Sequence, residues 1–208
     1  RGPLDRGAVM NPLPATPILV GLVLGGVAIG LVASWVWRWW RLRRARRRLV
    51  LAITSTGFEH LADVLVPDGN GATYHVDFLV LTARGILVVD LRDVAGNIFG
   101  GDQMTDWTVM NGSSRHTFAN PQGALYDRIA AVKALSGEVP VEGRIVFTSR
   151  ARFPKGLPKW TVPVDTLRAD FPPADRGLFE SVLTHYRAGW TALRAAAAPS
   201  PLGKPRPI

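Results

Sequence analysis

The 208-residue chain contains no cysteine, which excludes disulfides, a thiol nucleophile and a cysteine-ligated zinc site. Its net charge of +9 invites a nucleic-acid reading, but seven arginines within residues 38–48 carry most of that charge and leave only two net positive charges elsewhere. With an apolar N-terminal run and a proline-rich tail set aside, about 150 residues remain, enough for one ordinary domain.

After a short stub over residues 1–16, residues 17–37 read PILVGLVLGGVAIGLVASWVW without a charge. At the helical rise such a run matches a bilayer core of roughly 30 Å. It is followed by RWWRLRRARRR, residues 38–48, in which a tryptophan cluster sits at the interfacial level beside the arginines. This pattern predicts one transmembrane helix with the C-terminal side held in the cytoplasm, hence a single-pass inner-membrane protein. The basic run also suits contact with anionic lipid, which accounts for it more simply than DNA does. Gly21/Gly25 and Gly26/Gly30 give small-xxx-small spacings through which two spans could approach as a homodimer.

A soluble domain is expected over residues 49–197. Its first segment, LVLAIT, either forms a strand or finishes the helix leaving the membrane. Three extended segments joined by two turns follow in HLADVLVPDGNGATYHVDFLVLTARGILVVDLRD, and Asp68-Gly69-Asn70-Gly71 is a strong turn signal. In the second segment, alternation places His75, Asp77, Leu79 and Leu81 on one face. In the third, it places Ile86, Val88, Asp90 and Arg92 on one face. GNIFGGDQMTDWTVMNG supplies further short strands, with Trp107 as a core aromatic. Asn120-Pro121 opens a helix whose Leu125, Ile129, Val132 and Leu135 recur at helical spacing, and Gly137 ends it. VEGRIVFTS is another buried strand, and WTVPVDTLRADF gives a strand and a turn. Residues 175–197 read as a second long helix with Leu178, Leu183 and Tyr186 toward the core, before a loose tail over residues 198–208.

Strands on both sides of the first soluble helix predict an α/β fold. Asp77 and Asp90 interrupt strands that otherwise look buried. From the residues alone they read either as a pair of metal ligands or as strand-end carboxylates, exposed or paired with arginine. His75 shares the face of Asp77, and Gln122 stands at the start of the helix, so each is a candidate for touching a substrate or, more blandly, a polar strand-edge or helix-capping residue. GNGATY lacks the GKS or GKT ending of a phosphate loop, and GNIFGG lacks a dinucleotide-binding glycine pattern, so no nucleotide cofactor is expected.

The ordered set DVLVPDGNGATYHVDFLVLTARGILVVDLRDVAGNIFG, then a tryptophan, then Asn-Pro before a helix, resembles the nuclease-related domain of bacterial membrane-associated proteins. The resemblance covers roughly residues 60–135. It implies a restriction-endonuclease-like mixed sheet flanked by helices, here preceded by the transmembrane helix. The aspartate of the family's Ile-Asp-His signature matches Asp77, with Phe78 in place of the histidine. The family's Glu-x-Lys falls on Asp90 and Arg92, and its Asn-Pro-x-x-Gln is kept only as Asn120-Pro121, with Ala124 at the glutamine position and Gln122 displaced.

The resemblance implies Mg²⁺, or Mn²⁺ in its place, held by Asp77 and Asp90 for hydrolysis of DNA phosphodiesters. Arg92 would contact phosphate, since a guanidinium stays protonated and cannot act as a base. The shorter stem of Asp90 sets its oxygens about 1 Å further back than a glutamate would. The alternative is an inactive membrane-tethered nucleic-acid-binding or scaffold protein.

Overall fold

The computed structural model describes residues 15–201, with side-chain surroundings from residue 30 onward except at Arg176. The expected stub and the end of the tail lie outside the described residues. The chain divides into two units, Arg1–Arg47 and Arg48–Ile208.

The first unit carries most of helix α1, Ala15–Thr54. The described residues do not support the expected transmembrane helix over residues 17–37, since among them no helix is long and apolar enough to cross a membrane. Seven arginines follow the uncharged run, from Arg38 to Arg48. The side chains of residues 17–29 lie outside the described residues, and three of the glycines expected to support a homodimer lie among them. In the described part, Trp35, Trp37, Trp39 and Trp40 are exposed. Guanidiniums stack on three of these rings, Arg41 over Trp37 at 4.7 Å, Arg43 over Trp39 at 3.7 Å and Arg44 over Trp40 at 5.2 Å.

The second unit is mixed α/β, with two mixed sheets and flanking helices. LVLAIT finishes α1, and Ile53 is fully buried. The three expected extended segments are β1 (Glu59–Pro67), β2 (Thr73–Thr82) and β3 (Gly85–Arg92), paired antiparallel. Asp68 Oδ1 accepts from the N–H groups of Asn70 and Ala72, and Gly69 and Gly71 take positive φ, so that turn forms for the reason its residues suggest. The short strands β4 (Gly96–Phe99), β5 (Asp106–Asn111) and β6 (Ser114–Ala119) then form a separate antiparallel run. Helix α2 (Pro121–Ser136) is capped by Asn120, whose side chain accepts from the Gln122 N–H, and Gly137 closes it at φ +62°.

From α2 the chain returns as β7 (Val141–Phe147), parallel to β3. The two-residue β8 (Ala151–Arg152) joins β4, and β9 (Thr161–Pro163) joins β7. Two helices follow, the one-turn α3 (Leu167–Asp170) and α4 (Phe179–Ala196), the latter entered through a 3-10 turn over Arg176–Leu178. The two-residue β10 (Ala198–Pro199), at the start of the expected tail, pairs with β1. The six-stranded sheet thus runs β10-β1-β2-β3-β7-β9, and the four-stranded one β6-β5-β4-β8.

Both faces of the large sheet are buried. One cluster joins Leu79, Leu81, Ile86, Val88, Ile145 and Phe147 to Leu125 and Val132 of α2, to Trp107, and to Trp190 and Leu193 of α4. The other joins Phe78, Val80, Leu87, Val89 and Val146 to Ile53, Leu167 and Phe171. Trp107 is the expected core aromatic, fully buried and stacked on Phe147 at 6.2 Å. Leu178 corrects the expected core face of the last helix. It is 48% exposed because it belongs to the 3-10 turn, out of phase with the helix that buries Trp190 and Leu193.

The β2–β3 turn depends on Gly85, whose φ of +125° no side chain adopts readily and whose added Cβ would meet the Pro140 carbonyl. Gly85→Ala is expected to cost about 2 kcal/mol or more in chemical denaturation. A loss within error of zero would contradict this account of the turn.

Candidate functional site

The site is built where two strand ladders are interrupted together. The β1/β2 register runs Ala62↔Phe78 and resumes at Val64↔Val76, omitting Asp63 and Asp77. Asp63 has φ +56°, a conformation that short polar side chains tolerate better than most. The alternation consequently shifts by one. Leu61, Val64 and Val66 of β1 pack in one cluster, and Val76 of β2 joins Leu79 and Leu81, while Phe78 and Val80 face the other way. This corrects the expected face of His75, Asp77, Leu79 and Leu81, because unbroken alternation does not hold through Asp77.

On the other side of β2, the ladder with β3 ends at Phe78↔Val89, so Asp77 and Asp90 are the next residues along their strands. There the Asp77 side chain takes the place of a backbone partner, its Oδ2 accepting from the Leu91 N–H at 2.7 Å. In β3 alternation holds, with Ile86 and Val88 in the cluster containing α2 and Leu87 and Val89 opposite. Asp90 therefore follows Ile86 and Val88 toward α2.

The charges form one connected group. The Asp90 side chain is 4% exposed, and its Oδ2 accepts from Arg92 Nη2 at 2.9 Å. Arg128 of α2 brings its Nη1 to 3.6 Å from the same oxygen, while its Nε donates to the His75 carbonyl at 2.6 Å. His75 Nε2 lies 2.6 Å from Asp63 Oδ1, and its Nδ1 lies 4.0 Å from Asp77 Oδ1. Two buried donors of this group, Arg92 Nε and Arg128 Nη1, have no hydrogen-bond partner. Arg84, in the β2–β3 turn, lies 3.5 Å from Glu142.

His75, Asp77, Asp90 and Arg92 are thus gathered in one place, together with two residues that sequence reasoning missed, Asp63 and Arg128. Each left a sign. Leu61 and Val64 stand three apart where strand alternation requires two, and Arg128 falls between Leu125 and Val132 on the apolar stripe of its helix. Gln122 belongs elsewhere. It is buried, and its Nε2 donates to Asp102 Oδ1 and to the Lys159 carbonyl, each at 2.9 Å. The Gln122 amide and the Lys159 N–H hold the Asp102 carboxyl below its ordinary value, in a lock between loops that shares no partner with the acidic pair. Glu59, at the far end of β1, accepts from Trp190 and Arg194.

The chemistry of this donor set departs from a divalent-ion site. Among the described residues no group of three or more His, Asp or Glu side chains is placed to hold a metal. The two carboxylates expected to bind one already have partners, Arg92 and Arg128 on Asp90 and Leu91 on Asp77. An ion entering between them would have to displace a guanidinium from a nearly dry carboxylate, and two cations would then share that oxygen at close range.

The sequence model of the nuclease-related domain family matches residues 41–148. The chain belongs to this family, whose general kind is restriction-endonuclease-like. No curated protein and no solved structure matches the chain.

Burial raises the Asp77 carboxyl above its ordinary value, against the pull of the Leu91 N–H; the charge of Asp90 raises it further, and His75 and Arg128 lower it. The folded state then holds a proton on Asp77 more tightly than the unfolded chain does. Stability accordingly falls as pH rises from 3.8 through the raised value. Asp77→Asn keeps an acceptor for Leu91 and removes the charge. This variant should melt above wild type at neutral pH, with the advantage disappearing in acid below the ordinary carboxylate range, as thermal melts across that range will measure. An equal or lower melting temperature at neutral pH would contradict the assignment.

Proposed function

We propose that this nuclease-related protein engages nucleic acid without hydrolysing it, its acidic centre held shut by its own arginines. The observation carrying this reading is the contact between Arg92 Nη2 and Asp90 Oδ2 at 2.9 Å, on a side chain only 4% exposed. A metal-dependent nuclease needs carboxylate oxygens free to bind the ion that polarises the phosphodiester and activates water. Here Asp90 already has a compensating cation, and Arg128 stands ready on the same oxygen. Arginine in the lysine position removes an amine whose pKa the surroundings can lower toward neutrality, because a guanidinium stays protonated. Family membership supports the substrate class, because a nuclease-related fold is built around a centre that meets nucleic acid.

We further assign the exposed tryptophans and stacked arginines of α1 to an anionic membrane surface, with the domain on the cytoplasmic side. Aromatic rings at the interface and guanidiniums toward lipid headgroups match that surface in both apolarity and charge. A reporter fused after residue 48 should register as cytoplasmic, and its export would reverse this topology.

The hydrolysis test uses the full chain with duplex and single-stranded DNA, in Mg²⁺ and in Mn²⁺. Wild type should bind DNA and leave it intact. The double change Asp90→Glu with Arg92→Lys, which restores the family's Glu-x-Lys, should gain metal-dependent cleavage that Asp77→Ala then abolishes. Metal-dependent cleavage by wild type, lost in Asp77→Ala, would overturn the closed centre and make the chain a hydrolase of DNA phosphodiesters.

A further inference from the structure

Trp160 is a bulky residue in a conformation that bulky residues avoid, with φ +62°. Its backbone is held there from all sides. The Trp160 carbonyl accepts from the Ile145 N–H at 2.7 Å, and the Thr161 N–H donates to the Pro158 carbonyl at 3.2 Å. The Lys159 N–H donates to Asp102 at 2.8 Å, and the Lys159 carbonyl accepts from Gln122 at 2.9 Å. None of these four bonds uses an indole, and glycine would satisfy them all without steric cost. Strain of this kind, maintained by the surroundings, points to a use for the side chain.

The indole is not a core group. It is 40% exposed, and its Nε1 donates to the hydroxyl of Tyr126, itself 52% exposed, at 2.8 Å. The guanidinium of Arg144 lies over the ring at 5.4 Å, and Lys159 is exposed next to it in the chain. Two surface rings are therefore fixed to each other beside cations, at the β9 edge of the large sheet. The register Asp90↔Ile145 and Ile145↔Thr161 sets this edge in line with the acidic centre, about 10 Å away across two strand spacings.

We propose that Trp160 and Tyr126 form a stacking platform for an unpaired base, so that the nucleic acid engaged by this protein is single-stranded. This rests on the nucleic-acid reading above and adds the strandedness of the ligand and the residues that select it. A flat, immobilised ring accepts any base on its face, and neighbouring cations attract the phosphates, whereas bases stacked inside a duplex offer no free face. Lys159 supplies the adjacent positive charge, while Arg144 over the indole is itself ion-paired to Glu142 at 3.4 Å and Asp170 at 3.6 Å.

The test measures fluorescence anisotropy of a labelled oligothymidylate and of a labelled duplex with the full chain, in enough salt to suppress purely electrostatic binding by residues 38–48. Trp160→Gly should melt at or above the wild-type temperature, because the strain is relieved, yet bind the single strand about ten-fold more weakly. Its duplex affinity should stay within about two-fold of wild type, and Trp160→Phe should recover most of the single-strand affinity. Unchanged single-strand binding by Trp160→Gly overturns the platform while leaving nucleic-acid engagement standing. A Trp160→Gly protein that melts lower and loses both ligands together makes the indole a packing residue, which also overturns it. Wild type that binds neither DNA removes the nucleic-acid reading and the platform with it.

Discussion

The structure turns on the place where Asp77 stands between two interrupted ladders. A carboxylate within a sheet buried on both faces must find hydrogen-bond donors or remain protonated. Here the Leu91 N–H, which a longer ladder would have paired with a backbone carbonyl, serves as that donor. The facing irregularity at Asp63 shifts the apolar alternation of β1 and β2 together, so both strands keep their hydrophobic residues inward on either side of the break. The polar centre thus exists because a one-residue shift in two strands opens a position for acids without exposing the core.

Once the acids are there, the surrounding charges decide what they can do. Asp63 is engaged by His75, Asp77 by a backbone N–H, and Asp90 by Arg92 with Arg128 behind it. The family's motif would place a longer carboxylate and a lysine at positions 90 and 92. Shortening the acid draws its oxygens back toward the sheet, where α2 presents Arg128, and arginine provides a fork that binds a carboxylate more persistently than an ammonium does. The two departures from the motif reinforce each other. Either change would weaken a metal site, and Asp90 here is ion-paired to Arg92.

Much of this fold could be read from residues. β1, β2 and β3 follow from alternation bounded by Asp-Gly-Asn-Gly and Arg84-Gly85. α2 follows from Asn-Pro at its start and Gly137 at its end, whereas the residues left Asp90 open between a metal ligand and a partner of arginine. What escaped were features that depend on distant segments. β6 carries a largely exposed, polar sequence, SRHTFA, and is a strand only because β5 pairs with it. The lock on Gln122 requires Asp102 and the Lys159 carbonyl, 20 and 37 residues away. Arg128 joins the acids only because the crossover from β3 to β7 lays α2 across the sheet. Trp160 gave no local sign at all, since its conformation is imposed by bonds from β7 and α2.

The most direct test of the closed centre is whether it admits a divalent ion in the absence of DNA. Calorimetric titration of Mn²⁺ into the full chain should give no binding for wild type, and a single site should appear in Arg92→Ala that Asp77→Ala removes. Binding of Mn²⁺ by wild type at one site, lost in Asp77→Ala or Asp90→Ala, would show that the arginines yield to the ion and that the acids are free to work as ligands.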